Sequence, residues 1–283
     1  MNILITGADG QLGSQLRSVA KSDRDKYYFT DIAELDITDL SALEAYIVKN
    51  GVEVIVNCAA YTNVDGAEEN EAAADLLNNR AVGNLAEIAK KVGATLIHIS
   101  TDYLFDGNGN TPYSESSPTS PAGVYGETKL AGELAIQNTD CNYIIIRTSW
   151  LYSQFGSNFV KTIQRLSAER DQLNVVFDQI GTPTYAADLA KVIRHIIDSG
   201  QLYKKGVYHY SNEGVCSWFD FAVEIAALSG NVCDIRPCHS SDFPTKAKRP
   251  SYSVLDKAKI KESFGITIPH WREALIRCIE EII

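Results

Sequence analysis

Long apolar runs are missing from this sequence of 283 residues. A helix that crosses a bilayer needs about 18 or more apolar residues in succession, and no stretch approaches that length. The first apolar stretch, residues 3–5, is also too short for the core of a signal peptide and leads directly into a glycine loop. We therefore expect a soluble, cytoplasmic protein with no signal peptide and no membrane partner.

Cysteine is scarce and irregularly spaced. The absence of any Cys-x-x-Cys pair is typical of reduced thiols in a cytoplasmic protein. Cys238 and His239 are adjacent, but their spacing from Cys233 matches no usual zinc pattern. We expect no metal site, and we expect small, buried apolar roles for Cys58, Cys141, Cys216, Cys233, Cys238 and Cys278.

Positive charge is also in short supply. The sequence has 26 Lys and Arg residues against 36 Asp and Glu residues, which gives a formal net charge of −10. Such a chain repels a polyphosphate backbone, so nucleic acid is not an expected partner. The length is sufficient to bury a large core and favours two unequal domains.

Strands and helices alternate through the first half of the sequence. Short apolar runs predict strands over 2–6, 27–30, 52–57, 95–100 and 142–148. Helical spacing of apolar residues predicts helices from the glycine loop through Val19 and over 39–49, 72–91 and 124–137. Alternation of this kind requires parallel strands covered on both faces. The sequence therefore predicts an α/β fold with a Rossmann-type doubly wound parallel sheet.

The second half is less regular and predicts a smaller C-terminal α/β substrate lobe. We assign residues 1–150 to a dinucleotide-binding domain, with its sheet completed by part of 170–205, and residues 151–283 mainly to the substrate lobe. Ligands of such folds collect beyond the carboxyl ends of the strands, so we expect the polar loop over 107–123 to lie beside that edge. Further elements are predicted as helices over 188–197, 219–228 and 271–283 and a strand near 206–210.

Three glycines follow the first predicted strand. Gly7, Gly10 and Gly13 allow a tight turn, a close approach to a pyrophosphate, and packing of the next helix on the strand. The helix N-terminus, which includes Gln11 and Leu12, then offers free N–H groups to an anion. A strand-to-helix turn without a ligand is the alternative. The position between a strand and a helix favours a dinucleotide site.

An acid ends the second predicted strand. Asp31 lies 18 residues beyond Gly13, where a carboxylate can accept hydrogen bonds from ribose hydroxyls and repel a 2′-phosphate. We therefore expect NADH as a cofactor, and NADPH if Arg24 or Lys26 lies near enough to compensate.

Asp36 and Ile37 follow on the same side of the predicted site. They are expected to border the adenine of the dinucleotide. Capping of the next helix by Asp36 or Asp39 is the alternative.

Tyr125 and Lys129 are four residues apart on a predicted helix, so both emerge on one face. A nearby cation stabilises a phenolate, and we expect Lys129 to lower the pKa of Tyr125. Tyr125 would then deliver a proton to a carbonyl oxygen as a hydride reaches the carbonyl carbon. Thr101, at the end of the fourth predicted strand, can hold the same oxygen by a hydrogen bond. The alternative for Thr101 is a turn cap.

Six motifs share a pattern with known proteins: GQLG over 10–13, STDYLFDG over 100–107, VYGETKLAGE over 124–133, RTSW over 147–150, GTPT over 181–184 and RP over 249–250. With these motifs the chain resembles the extended short-chain dehydrogenases. Within that family it is similar to the branch that reduces dTDP-4-dehydro-L-rhamnose to dTDP-L-rhamnose. The likeness extends over essentially the whole chain.

The resemblance implies an NADH- or NADPH-dependent oxidoreductase that acts on a nucleotide sugar, with Thr101, Tyr125 and Lys129 as the catalytic triad. The residues that it implies at the cofactor are Ala59, Ala60, Tyr61 and Thr62, and those at the substrate are Thr101, Asp102, Tyr103 and Trp150. From the residues alone, Trp150 could equally belong to the core. Arg249 could contact the diphosphate or could be a solvated loop arginine.

Two departures from the family pattern stand out. Some relatives dimerise through magnesium held by glutamates, one of them in the first helix, where this sequence has Gln15. An amide is a poorer ligand for a hard cation, so we do not expect that site and leave both a monomer and a homodimer open. Asn63 and Gly66 also replace the residues that relatives usually carry.

Two rival functions remain. Epimerases and dehydratases use the same scaffold, but a dehydratase usually needs an extra acid and base, and no Asp-Glu pair follows Thr101. A regulatory subunit that binds a dinucleotide without turnover is the other alternative. The complete triad favours a reductase.

Overall fold

The structure, a computed structural model, describes residues 1–20 and 24–282. The strands are β1 (Asn2–Thr6), β2 (Lys26–Thr30), β3 (Val54–Asn57), β4 (Thr95–Thr101), β5 (Asn142–Thr148), β6 (Leu151–Tyr152), β7 (Gln172–Val176), β8 (Ile180–Gly181), β9 (Thr184–Tyr185), β10 (Gly206–His209), β11 (Cys216–Ser217) and β12 (Asp234–Cys238). The α-helices are α1 (Gln11–Val19), α2 (Leu40–Asn50), α3 (Val64–Glu69), α4 (Glu71–Asp75), α5 (Ala81–Val92), α6 (Val124–Thr139), α7 (Phe159–Glu169), α8 (Ala186–Asp198), α9 (Trp218–Leu228), α10 (Ala258–Phe264) and α11 (Trp271–Glu280).

Six strands form the central sheet in the order β10-β5-β4-β3-β1-β2, and every neighbouring pair is parallel. The chain builds outward from β1 to β2 on one side and then crosses to β3 on the other. Strand order therefore reverses at β1, which is where such sheets bind ligands. The predicted Rossmann-type doubly wound sheet is confirmed.

Apolar side chains leave the sheet on both faces because successive residues of a strand point in opposite directions. Ile3 and Ile5 pack in a core beneath α1, α8 and α10, whereas Leu4 packs on the other face against α2, α5 and α6. The two helical layers bury the central strands, leave the edge strand β2 partly exposed, and leave the carboxyl edge of the sheet open.

The sheet is completed by β10, which lies just after the 170–205 segment that we expected to complete it. That segment instead supplies α8, whose apolar face packs on the sheet beside α1, and β7, which pairs with β12 in a separate small sheet. The predicted strand near 206–210 is the one that joins β5.

A third apolar core lies outside the sheet. It is formed by α7, α9, α11 and β7, with Phe221 and Leu275 fully buried in it. Its elements all lie within residues 151–283, which the sequence analysis predicts to form mainly the substrate lobe. The boundary at residue 150 stays a prediction, because α8 and β10 return to the sheet.

The long helix predicted over 72–91 is interrupted. A π-helical turn, Leu76–Arg80, joins α4 to α5, and Asn78 within it is fully buried. The terminal helix predicted over 271–283 is observed as α11, and Ile283 lies outside the described residues. None of the described helices is long and apolar enough to cross a membrane.

Candidate active site

A cleft of about 1140 Å³ opens at the carboxyl edge of the sheet. It brings together residues that are far apart in the chain, from the loop after β1 to the segment before α10. The site residues of the sequence analysis that line it are Gly7, Gly10, Gln11, Leu12, Asp31, Asp36, Ile37, Ala59, Ala60, Tyr61, Thr62, Thr101, Asp102, Tyr103, Tyr125, Lys129, Trp150 and Arg249. Gly13 lies behind the cleft.

The glycine loop is built for close approach. Gly7 has a φ of +63°, and a Cβ there would lie 2.6 Å from the amide nitrogen of Ala59. A Cβ at Gly13 would lie 2.4 Å from the Gly7 carbonyl oxygen, so Gly13 lets α1 pack against the loop. Within the described part of the chain, no side chain caps α1 and its first turn holds no acid. The first amides of α1 are therefore available to an anion such as a pyrophosphate.

Asp31 follows β2 and is held by two backbone donors. Its Oδ2 accepts from the Asp9 amide at 3.0 Å and its Oδ1 from the Ile32 amide at 2.8 Å. Lys26 opens β2, about 15 Å away along the strand, and its ammonium lies over the Tyr28 ring. Lys26 and Arg24, which precedes it, are therefore too far from Asp31 to offset its charge.

The sequence left open whether Asp36 or Asp39 caps α2, and the structure distinguishes the two residues. Asp39 caps α2, accepting from the Ala42 amide at 3.0 Å. The Asp36 carboxylate accepts from the amide and hydroxyl of Thr38 instead and lines the cleft. Capping of α2 is thus the role of Asp39.

Tyr125 stands at the start of α6 with its ring edge-on to Tyr103, the ring centroids 5.5 Å apart. Burial raises the pKa of the phenol, and the Thr101 hydroxyl opposes that rise. The pKa of Tyr125 is therefore shifted upward rather than downward as we expected, and Lys129 is not among the main causes of the shift. Tyr125 consequently keeps its proton at neutral pH, which is the state that a proton donor needs.

Lys129 is buried one helical turn further along α6. Its ammonium donates to the Ile99 carbonyl at 2.7 Å. Burial lowers the pKa of Lys129 to about 8, whereas Glu133 and Cys58 act in the opposite direction. The lysine is therefore close to changing charge near neutral pH.

Asp102 is the buried acid of the cleft. Its Oδ1 accepts from the Thr101 hydroxyl at 3.2 Å, and its Oδ2 has no hydrogen-bond partner among the described residues. Burial raises the pKa of Asp102 to about 6, and the nearby Ser253 and Thr101 hydroxyls oppose that rise. At neutral pH it presents an unused acceptor beside Thr101.

Arg249 is not a solvated loop arginine. Its guanidinium donates to the Tyr103 hydroxyl at 3.2 Å and forms an ion pair of 2.6 Å with Asp65. The ion pair ties the segment before α10 to α3. Asp65 was not identified from the sequence, where only its place in the first turn of a short helix could have been noted.

Trp150 belongs to the cleft as well as to the packing around it. It has a φ of +48°, which is unusual outside glycine, and its indole is stacked on that of Trp218 with centroids 3.6 Å apart. Trp218 and Phe159 also line the cleft and were missed. Their aromatic character was visible in the sequence, but aromatic residues at helix starts are equally common in cores.

The two departures from the family pattern are explained locally. Asn63 caps α3 by accepting from the Gly66 amide at 2.9 Å, and a Cβ at Gly66 would lie 2.6 Å from the Asn63 side chain, so these two residues go together. Gln15 of α1 is buried, and its side-chain amide donates to the Gln154 side chain in the segment after β6. Among the described residues, no group of three His, Cys, Asp or Glu could hold a metal ion.

A second missed group lies beneath the cleft. Thr6, Asn57 and His98 are polar residues at buried positions of β1, β3 and β4. The available signal was a polar residue within each otherwise apolar strand.

Comparison with known proteins gives one consistent family. The family model described as RmlD substrate binding domain matches residues 1–283. A dTDP-4-dehydrorhamnose reductase of Burkholderia thailandensis is 39% identical over 298 residues, covering 100% of this chain and 99% of the relative.

Two solved structures agree with that relative. A dTDP-4-dehydrorhamnose reductase from Clostridium acetobutylicum is 41% identical with a TM-score of 0.95, covering 100% of this chain and 99% of the other. The enzyme from Bacillus anthracis, solved in complex with NADP, is 39% identical with a TM-score of 0.95, covering 99% of both chains.

Proposed function

Because the chain belongs to the RmlD substrate binding domain family, we propose that it reduces the C4 keto group of dTDP-4-dehydro-L-rhamnose with NADH or NADPH and forms dTDP-L-rhamnose. One observation carries the proposal. A single cleft joins an uncapped glycine-loop helix to Thr101, Tyr125 and Lys129. The first feature suits a dinucleotide and the second a carbonyl that takes up a proton.

The residues present fit a dinucleotide. Gly7 and Gly10 leave room for a pyrophosphate at the first amides of α1, Asp31 would accept from the ribose, and residues 59–62 would border the rest of the cofactor. When bound, the reduced nicotinamide would supply the hydride for the carbonyl carbon.

The protein supplies the proton and stabilises the charge that develops on the carbonyl oxygen. Tyr125 is protonated at neutral pH and lies in the same cleft as Thr101, whose side chain opposes the rise in its pKa. The Thr101 hydroxyl has one hydrogen, which would have to turn from Asp102 to reach the carbonyl oxygen. Burial makes such hydrogen bonds stronger than they are in water. Tyr125 is thus the proposed acid, and Thr101 the proposed partner of the carbonyl oxygen.

Three further side chains are proposed for the substrate. The free Oδ2 of Asp102 would accept from a sugar hydroxyl, and Trp150 would present a flat face to the sugar or the base. Arg249 would bind the diphosphate once its ion pair with Asp65 is broken, since a guanidinium binds phosphate by charge-assisted hydrogen bonds.

Use of NADPH is compatible with the cleft despite Asp31. Arg17 lies 3.3 Å from Asp9, whose amide in turn holds Asp31, so a cation is already close to the expected ribose site. Its side chain is half-exposed and would reach a 2′-phosphate by leaving Asp9 and the Phe29 ring. We therefore propose that both cofactors are accepted.

The cellular setting is proposed on chemical grounds. All six cysteines are free thiols, which suits a reducing compartment such as the cytoplasm. We propose a monomer or a homodimer, with the dinucleotide-binding domain over 1–150 and the substrate lobe mainly over 151–283. Sedimentation of the purified chain with and without cofactor measures the oligomeric state.

The function is tested by supplying the purified protein with NADH or NADPH and 4-keto-deoxysugar nucleotides in turn. We expect cofactor oxidation only with the keto sugar nucleotide, and a product identical to dTDP-L-rhamnose. Cofactor binding without turnover of any sugar nucleotide would favour a regulatory subunit. A product that is an epimer of the substrate, formed without net cofactor use, would favour an epimerase.

A further inference from the structure

A row of buried polar side chains crosses the sheet beneath the cleft. Thr6, Asn57 and His98 occupy registered positions on the neighbouring strands β1, β3 and β4, and none is more than 1% exposed. The Thr6 hydroxyl donates to Asn57 Oδ1 at 2.7 Å, and Asn57 Nδ2 lies 3.0 Å from His98 Nδ1. His98 Nε2 lies 3.4 Å from Lys129 Nζ. The row therefore ends on the lysine of the proposed triad.

The row fixes which nitrogen of His98 carries hydrogen. Asn57 Oδ1 also accepts from the Ala59 amide at 3.2 Å, and a backbone N–H can only donate, so the Asn57 amide group cannot be reversed. Asn57 Nδ2 consequently donates to His98 Nδ1, and a neutral ring must carry its hydrogen on Nε2. Burial, which is the larger cause of its shift, holds the pKa of His98 well below its ordinary value, so the ring is neutral.

The Nε2–H of His98 therefore faces the Lys129 side chain. A lysine ammonium has three donors and no acceptor, whereas a neutral amine has a lone pair that accepts an N–H. The Ile99 carbonyl accepts from Lys129 in either state. The contact with His98 thus favours the neutral amine over the cation.

The other titratable groups around Lys129 favour its charged form, whereas His98 favours the neutral one. Glu133 on the same helix and Cys58 after β3 both favour the cation. Glu133 is already engaged with Arg147 of β5, at 2.7 Å, which weakens its hold on Lys129. Burial and the contact with His98 therefore favour the neutral amine of Lys129. Glu133, whose charge is partly neutralised by Arg147, favours the cation.

We propose that His98, oriented by Thr6 and Asn57, is a positioning residue that holds Lys129 against the Ile99 carbonyl and favours its uncharged form. The cation beside Tyr125 would then be present at lower pH and lost within the working range of the enzyme. The link to catalysis rests on the proposed function, whereas the effect on Lys129 does not.

The wild-type protein provides the first test. Nitrogen NMR spectra of the histidine rings in the full chain distinguish the two neutral tautomers and the protonated ring, and His98→Asn identifies the His98 signals. We expect a neutral His98 with hydrogen on Nε2 at pH 7.5. Hydrogen on Nδ1, or a protonated ring, would overturn the proposal.

The second test is titration of Lys129, followed by the Cε signal of labelled lysine and assigned with Lys129→Met. His98→Asn keeps an oxygen for the Asn57 amide but removes the Nε2–H, so we expect the pKa of Lys129 to rise by about one unit, the size of one hydrogen bond. His195→Asn, on α8 and bonded to the Phe264 carbonyl, is the matched control and should leave the titration unchanged. An unchanged titration in His98→Asn would overturn the proposal.

Activity then separates the two proposals. The high-pH limb of kcat/KM should move upward in His98→Asn by the same amount as the lysine titration, which a purely structural role would not produce. A shifted titration in a protein that turns over no sugar nucleotide would support the role of His98 and refute the proposed function. If His98→Asn does not fold, the tautomer of the wild-type ring still decides.

Discussion

At the scale of single residues, the strength of Tyr125 as an acid comes from its hydroxyl neighbour. Burial alone would make the phenol a weaker acid, and only the Thr101 hydroxyl is found to oppose it in the described structure. The Thr101 hydroxyl has a single hydrogen, which it donates to Asp102 in this structure and would donate to the phenolate only after turning. Thr101 and Asp102 are adjacent because β4 ends at Thr101 and the three-residue helix Asp102–Leu104 begins directly after it.

Replacement of Tyr125 by phenylalanine tests the proton donor. We expect Tyr125→Phe to lower kcat by about 10²- to 10⁴-fold, because the ring stays while the proton is lost. Cofactor affinity, measured by fluorescence titration, should change less than about twofold. Tyr143→Phe on β5, which does not line the cleft, is the control and should retain most of the rate. A Tyr125→Phe enzyme with unchanged kcat would exclude the phenol as the acid.

Asp102 is expected to lower the stability of the folded protein at neutral pH and to contribute to substrate binding. Its folded-state pKa of about 6 lies above the ordinary 3.8, so its contribution to stability is present below about pH 3.8 and is lost as the pH rises through about 6. We therefore expect Asp102→Asn to raise the free energy of unfolding at pH 7 by on the order of 1–3 kcal/mol, measured by urea denaturation. The same variant should raise the KM for the sugar nucleotide. A less stable variant with an unchanged KM would contradict both roles.

At the scale of secondary-structure elements, the glycine loop gives a direct packing test. A Cβ at Gly13 would lie 2.4 Å from the Gly7 carbonyl oxygen, so α1 would have to move away from the loop. We expect Gly13→Ala to weaken dinucleotide binding at least tenfold and to cost about 1–3 kcal/mol of stability. Gly83→Ala in α5, where the nearest atom is Ala135 Cβ at 3.6 Å, is the matched control and should be neutral or slightly stabilising. Equal cofactor affinities in the two variants would contradict this account of the loop.

The regular elements were predictable because each carries a complete local signal. Apolar runs located the strands of the sheet, and the turn residues around Gly7 located the loop that follows β1. The π-turn at Asn78 carried no such signal. Its cause is tertiary, because the Asn78 side chain accepts from the Tyr61 amide and donates to the Tyr61 carbonyl and the Thr128 hydroxyl.

The two-residue strands of the second lobe were beyond prediction for a related reason. The pairs β6 with β9 and β8 with β11 join residues that are 33 to 37 positions apart, and two residues are too few to show any periodicity. Site residues were predictable where several motifs pointed to one edge of the sheet. Asp65, Trp218 and His98 were not, since each gains its role from a partner that only the folded chain brings near.

At the scale of the whole molecule, the cleft depends on how the second half of the chain returns to the first. Arg277 of α11 forms two hydrogen bonds of 2.7 and 2.6 Å with Asp188 of α8. Asn212 donates to the same carboxylate and also accepts from the Tyr185 amide. This cluster joins the sheet layer to the third apolar core. The two sides of the cleft are thereby held in one arrangement.

The pH dependence of overall stability follows from two buried histidines. His98 and His209 are fully buried, and their pKa values lie well below 6.5, at about 3 for His209, because of burial and the nearby charges of Lys129 and Arg147. Below about pH 6.5 these two histidines bind protons in the unfolded chain but stay neutral in the folded one. The free energy of unfolding therefore falls as the pH falls from about 6.5. Each histidine should cost about 2 kcal/mol at pH 5, measured by urea denaturation at pH 7 and pH 5.

A variant of His209 isolates its share of this loss. His209→Gln removes the titrating ring, whereas the exposed His239→Gln leaves both buried rings in place and is the control. We expect His209→Gln to be less stable than the wild type at pH 7, because the ring contacts Arg147 and the Tyr113 carbonyl. Its further loss between pH 7 and pH 5 should nevertheless be smaller by about 2 kcal/mol. If wild type and His209→Gln lose equal stability over that interval, His209 must take up its proton in the folded state, and the ring cannot be as buried as the sheet and the loop before α6 require.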